Sequence, residues 1–224
     1  MDQYFVLLYL YLVKQIKLLT MKKLFTITMA LVAFTISAQN VTFGAKAGLN
    51  FASMTGDDAD GLDGRTSFHL GVTAEIEMSD TFSIQPELLY SGQGFTDSGE
   101  LELYDEFGNF LDVVDADITA KVNYLNLPIM LKYYVSDGLS LEAGPQIGFL
   151  LGAKVKVEAE GESETEDVDD LKSTDFAFNL GAAYKLDSGL NFGLRYSMGL
   201  TDVPDGDSDG FKHSVLQLSV GYNF

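Results

Sequence analysis

The sequence contains neither cysteine nor tryptophan. Without cysteine there is no disulfide framework and no thiol chemistry. Histidine occurs twice, at His69 and His213, and proline four times. Basic residues are also few: 14 Lys and Arg stand against 33 Asp and Glu, a formal charge of −19. A phosphate partner needs a basic surface, so this balance argues against nucleic-acid binding. No helical period of helix length lies between the apolar segments, which argues against a βαβ sheet. No glycine-rich phosphate loop or zinc-ligand spacing is present either.

What the chain has is glycine (22), phenylalanine (16), tyrosine (11) and a strict alternation of apolar and polar residues. Its 224 residues suffice for one domain with a sizeable core, or one barrel. The last twelve residues, His213 to Phe224, show the pattern: Leu216, Leu218, Val220, Tyr222 and Phe224 share one face, and Val215, Gln217, Ser219, Gly221 and Asn223 the other. A period of two is the mark of a strand with two different faces. Seven earlier segments repeat it, beginning near Val41, Phe68, Phe82, Leu125, Leu139, Phe176 and Leu190. Leu89 is an apolar exception on a polar face.

The connections alternate in length. Ser79-Asp80, Ser136-Asp137-Gly138 and Asp187-Ser188-Gly189 are tight turns by composition. Residues 52–66, 95–120, 158–174 and 201–212 read as long loops. Short links at one end and long links at the other describe an antiparallel up-and-down meander.

The polar face is mostly Gly, Asn, Ser, Gln and Thr, with charges of both signs at Lys46, Glu75, Glu77, Glu87, Lys132, Glu142, Lys185 and Arg195. Small polar groups and self-neutralising charges suit a narrow, filled lumen. The apolar face carries aromatics at both ends: Phe51, Phe68 and Phe176 toward the long loops, Phe82, Tyr133, Tyr184 and Phe192 toward the turns. Two aromatic girdles around an apolar band are the pattern of a membrane barrel. The expected fold is therefore an all-β, eight-stranded antiparallel up-and-down transmembrane β-barrel, its last strand closing onto its first, in the cell outer membrane. Small OmpA- and OmpX-type barrels share this architecture. Lipid and lipopolysaccharide are its expected partners, and the chain is read as a monomer.

Ahead of the strands, residues 21–38 have the layout of a signal peptide: Lys22 and Lys23, an apolar run from Leu24 to Ile36, and cleavage after Ala38. Residues 1–20 read as a spurious extension in front of the true start at Met21, which leaves 39–224 as the barrel domain.

Most of the acid lies in the long connections: Asp57 to Asp63, Asp97 to Asp117, Glu158 to Asp170 and Asp202 to Asp209. The plain reading is a solvated surface; the alternative is divalent-cation binding that bridges to lipopolysaccharide. One stretch has calcium-loop spacing. Asp205, Asp207 and Asp209 with Gly210 match D-x-D-x-D-G, yet the twelfth position is Leu216 rather than a bidentate Glu. These three are the candidate metal ligands, and no other cofactor is expected. No Ser or Asp is placed locally to form a relay with either histidine, and the chain is not read as an enzyme. A salt-bridged lumen is preferred to an ion path, because eight strands leave little bore. A narrow pore for small solutes or ions is the alternative.

Several stretches together resemble the PorT-family outer-membrane β-barrel domain of Bacteroidota: FGAKAGLNFA (43–52), SIQPELLYSGQGF (83–95), YLNLPIMLKYYV (124–135), LEAGPQIGFLLGAKV (141–155), GLRYSMGL (193–200) and LQLSVGYNF (216–224). The resemblance covers nearly all of 40–224. It implies an integral outer-membrane barrel, with a link to secretion in the eponymous member and no catalytic residues. The final strand ending in Phe224 also resembles the signal read by the barrel-assembly machinery. The acidic connections are not part of the shared pattern.

Overall fold

The computed structural model describes residues 41–56, 59, 62–104, 107, 110–159, 162–168, 171–203 and 211–224. The signal-peptide and extension readings, and the Asp205, Asp207 and Asp209 motif, lie outside these residues.

Alternating sequence becomes alternating structure. The described residues form nine strands: β1 (Val41–Thr55), β2 (Asp63–Ser79), β3 (Phe82–Tyr104), β4 (Phe110–Ser136), β5 (Leu139–Ala159), β6 (Glu162–Asp167), β7 (Thr174–Lys185), β8 (Leu190–Gly199) and β9 (Lys212–Asn223). All pairs with a resolved register are antiparallel. Eight strands, all but β6, follow one another round a closed ring. The ring closes where β1 meets β9, from Gly44 opposite Asn223 to Thr55 opposite Lys212. The Phe224 amide then donates to the Phe43 carbonyl at 2.8 Å, so even the last residue is tied in. Closure leaves the ring without a free edge, which a sheet in lipid requires.

The three tight turns fall where composition places them. Gly138 (φ 78°) and Gly189 (φ 88°) adopt the left-handed conformation that only glycine enters at little cost.

The apolar face points outward. Leu218 and Val220 are 45% and 49% exposed, whereas their neighbours Gln217 and Ser219 are buried. The same holds round the ring for Leu49, Leu70, Ile129, Leu141, Leu180 and Leu194. So large an apolar surface belongs in lipid. Aromatic pairs mark its ends, with Phe82 and Tyr133 at 4.9 Å beside the turns and Phe68 and Tyr90 at 5.5 Å toward the other rim. Leu89 faces inward and is buried, as its place on the polar side requires.

Three expectations are corrected. First, among the described residues the connections 95–120 and 158–174 hold more strand than loop. The β3–β4 ladder runs on to Tyr104 opposite Phe110, and β6 forms within the presumed loop 158–174. Acidic composition hid these strands, but cross-strand pairing with a neighbour that is already ordered carries them. Second, the faces of β5 exchange at a bulge. Asn123 pairs with Gly152 but Tyr124 pairs with Leu150, so Leu151 is the extra residue. A bulged residue moves everything after it to the opposite face. Ala153, which an unbroken alternation from Leu139 would put on the lipid side, is buried inside, and Lys154, which it would put on the polar face, is 58% exposed at its side chain. Third, Glu77 is exposed rather than lumenal. It lies at a register shift next to the turn, between Glu77 and Ser79.

Candidate functional site

The interior is built from the small and charged residues on the inward faces of the ring. Glu87 on β3 is its centre. Arg195 on β8 holds it with both terminal nitrogens at 2.8 Å, Lys46 on β1 donates at 3.3 Å, and Gln85 donates at 2.7 Å. The same guanidinium reaches Glu142 on β5 at 3.2 Å. Lys132 on β4 stands 3.6 Å from Glu142 and 3.5 Å from Glu75 on β2, and it donates to Gln85 at 3.1 Å. Lys185 on β7 is 3.5 Å from Glu75, which also accepts from the Tyr134 hydroxyl and, at 3.2 Å, from Asn223.

Three carboxylates thus meet four cations contributed by different strands. Bidentate guanidinium–carboxylate pairing is among the strong, direction-fixing ion pairs. The Glu87 side chain is fully shielded from solvent. Beside the network lies a cavity of about 20 Å³, lined by Lys46, Thr73, Gln85, Lys132, Glu142 and Asn223 among others. That is room for roughly one water. Of the eight charges expected in the lumen, all but Glu77 enter this layer. Asn223, read on the polar face of the last strand, joins it, and so does Tyr134, which was not singled out because it carries no charge that marks it in the sequence.

Above this layer, toward the long connections, the lining is polar but carries few charges, the buried Asp175 on β7 among them. Asn50 on β1 donates to the Ser91 hydroxyl at 2.9 Å and the Gly92 carbonyl at 2.7 Å, and its oxygen accepts from Gln217 at 3.0 Å. His69, on the same side of the alternation as Glu75, lies in the lumen, with Nδ1 2.8 Å from the Asn50 oxygen. His213, which directly follows the loop read at 201–212 and so stood at its edge, is buried inside the ring. Its Nε2 is 3.2 Å from the Tyr124 hydroxyl, and the two rings meet edge to face at 5.4 Å. As the first inward residue of β9, His213 is turned in by the alternation of that strand. Gly148 pairs with both Asn126 and Asp175, and the Tyr124 ring occupies the space beside it.

An apolar layer follows. Val122, Tyr124 and Ala153 are buried together, and Leu150, Val168 and Leu171 pack on them. The Val168 amide donates to the Ala153 carbonyl at 3.0 Å, which ties the segment after β6 to the barrel wall. The bulge at Leu151 makes this layer possible, because it is what turns Ala153 inward.

Beyond the ring the strands continue as a sheet in the order β3, β4, β5 and β6. The register sets Asp115 opposite Glu100 and Asp117 opposite Glu158. Two lysines are already engaged on it: Lys154 with Asp167 at 3.2 Å and Lys156 with Glu158 at 2.7 Å. Among the described residues no cluster of three or more His, Cys, Asp or Glu has the geometry of a metal site.

Known barrels resemble this one. The attachment invasion locus protein Ail of Yersinia pestis is 14% identical, with a TM-score of 0.48 over 83% of this chain and 100% of its own. Neisserial surface protein A is 10% identical, with a TM-score of 0.46 over 83% and 100%. The outer membrane protein OprG of Pseudomonas aeruginosa is 14% identical, with a TM-score of 0.40 over 82% and 95%. No curated protein matches the sequence. The assignment rests on the family model for the outer membrane protein β-barrel domain, which matches residues 37–205. With a closed antiparallel ring, an outward apolar face and that match over most of its length, the chain belongs to the outer membrane protein β-barrel domain family and resides in the outer membrane.

Proposed function

We propose that the barrel is a sealed anchor that holds an acidic β-sheet at the cell surface, where the sheet binds partners. The reading is structural and binding, without catalysis. Short turns of outer-membrane barrels face the periplasm and long connections face outward, which sets the β3–β4–β5–β6 sheet outside the cell. The observation that carries the proposal is the Glu87–Arg195 pair with its neighbours, since a crossed and hydrogen-bonded lumen is ill suited to conduct. The resemblance to PorT-family domains of Bacteroidota supports a place near a secretion apparatus. Lipopolysaccharide is the expected lipid partner, with divalent ions, calcium at Asp205, Asp207 and Asp209 included, as bridges.

The test is reconstitution of the purified protein in planar bilayers. The expected record is silent. Steady stepwise conductance would replace this reading with a narrow pore. Proteolysis of intact cells should in parallel cut within the β3–β4 and β5–β6 connections and leave the barrel whole.

A further inference from the structure

We propose that the free edge of β6 takes up an extended, basic segment of a partner protein as an added strand, with Lys or Arg at every second residue. This rests on reading the sheet beyond the ring as a binding surface, and it names the chemistry of the partner.

The ring has no open edge, but the sheet above it does. β5 pairs with β7 only as far as Phe149 opposite Thr174; from Lys154 to Ala159 its partner is β6. Among the described residues β6 is the last strand in that direction, and every residue from Glu162 to Asp167 is exposed. The Val168 amide bonds to the Ala153 carbonyl, which fixes the phase of the ladder. Opposed residues in an antiparallel pair alternate between bonded and non-bonded. The backbone groups of Glu162, Glu164 and Glu166 therefore face β5. Those of Ser163, Thr165 and Asp167 face outward, free to accept another strand.

The side chains choose that strand. Glu162, Glu164 and Glu166 share one face, and no described ion pair includes them. The nearby lysines serve the other face, where Lys154 holds Asp167 and Lys156 holds Glu158. Residues on one face of a strand recur every ~6.6–6.8 Å, and an added strand has the same repeat. Cations at alternate positions would meet the three glutamates one for one, the favourable cross-strand arrangement. A second copy of β6 would set carboxylate against carboxylate, so the same charges guard the edge against self-association.

The experiment uses the full barrel in nanodiscs and two fluorescent peptides of equal composition, one alternating Lys with Thr, the other with its lysines in a block. Fluorescence anisotropy should show the alternating peptide binding at least about tenfold more tightly, with affinity falling as salt rises. Thr165→Pro removes a free-edge amide without touching the β5 ladder, because proline is tolerated on strand edges. It should abolish the preference while the gel shift between boiled and unboiled protein stays intact. The triple change Glu162→Gln, Glu164→Gln and Glu166→Gln should remove the salt dependence. Equal binding of the two peptides, or undiminished preference in Thr165→Pro, overturns the proposal. If either occurs while bilayers stay silent, only the edge inference falls; conductance would remove the underlying reading.

Discussion

Glu87 and Glu77 lie on the same side of the alternation, yet their surroundings differ entirely. Glu87 is enclosed by Arg195, Lys46 and Gln85, whereas Glu77 is open to solvent beside a turn. Removing one partner from a buried ion pair leaves the other charge uncompensated and costs ~3–5 kcal/mol. Glu87→Gln should therefore lower the urea midpoint of the refolded barrel substantially. Glu77→Gln should leave it within about 0.5 kcal/mol of wild type. Urea titration followed by gel mobility of unboiled samples measures both. Equal midpoints for the two variants would mean that the network contributes little to holding the ring. The sequence supplied the inward charges as a set, because alternation names a face. Which charge meets which is set by strand stagger, and so is the reason that Glu77 is left out.

At the scale of elements, the eight ring strands, the three turns and the closing pair β1–β9 were legible, since each carries its own alternation or its own turn residues. The bulge at Leu151 and the strand β6 were not. A bulge costs one residue and leaves the pattern on either side intact, so LLGAKVKV reads as one uninterrupted alternation. β6 is Glu-Ser-Glu-Thr-Glu-Asp, a composition of solvated loops, and only its register with β5 makes it a strand. The chain has no cysteine, which makes the bulge easy to test. In Lys154→Cys a membrane-impermeant maleimide should label the thiol quickly, and in Ala153→Cys slowly or not at all; the opposite ranking would mean that β5 runs without a bulge. The last strand makes a separate prediction. Deleting Phe224 removes its amide bond to Phe43 and its ring contact with Tyr222 at 5.7 Å, at the position where the final strand resembles an assembly signal. Less barrel should reach the outer membrane in the shifted, folded form. Unchanged amounts would assign closure to the rest of β9 alone.

Across the whole molecule the interior is blocked twice, in two unlike ways. Toward the turns the obstacle is ionic, a lattice of charged side chains around Glu87 and Arg195. Toward the long connections it is apolar: Val168 and Leu171 packed over Val122, Tyr124 and Ala153. An apolar constriction stops ions by keeping water out, whereas a salt-bridged one stops them by filling the space and by requiring charges to be separated. Barriers in series have a simple consequence, since either alone suffices. Glu87→Ala with Arg195→Ala should open only the ionic layer and leave bilayers silent. Val168→Gly with Leu171→Gly should open only the apolar layer and do the same. All four changes together should give stepwise conductance, provided the protein still shows the gel shift of a folded barrel. Conductance from the first pair alone would show that Val168 and Leu171 do not seal the mouth. Conductance from the second alone would show the same of the charged layer, and the view of the barrel as a sealed anchor would then rest on the surviving barrier only.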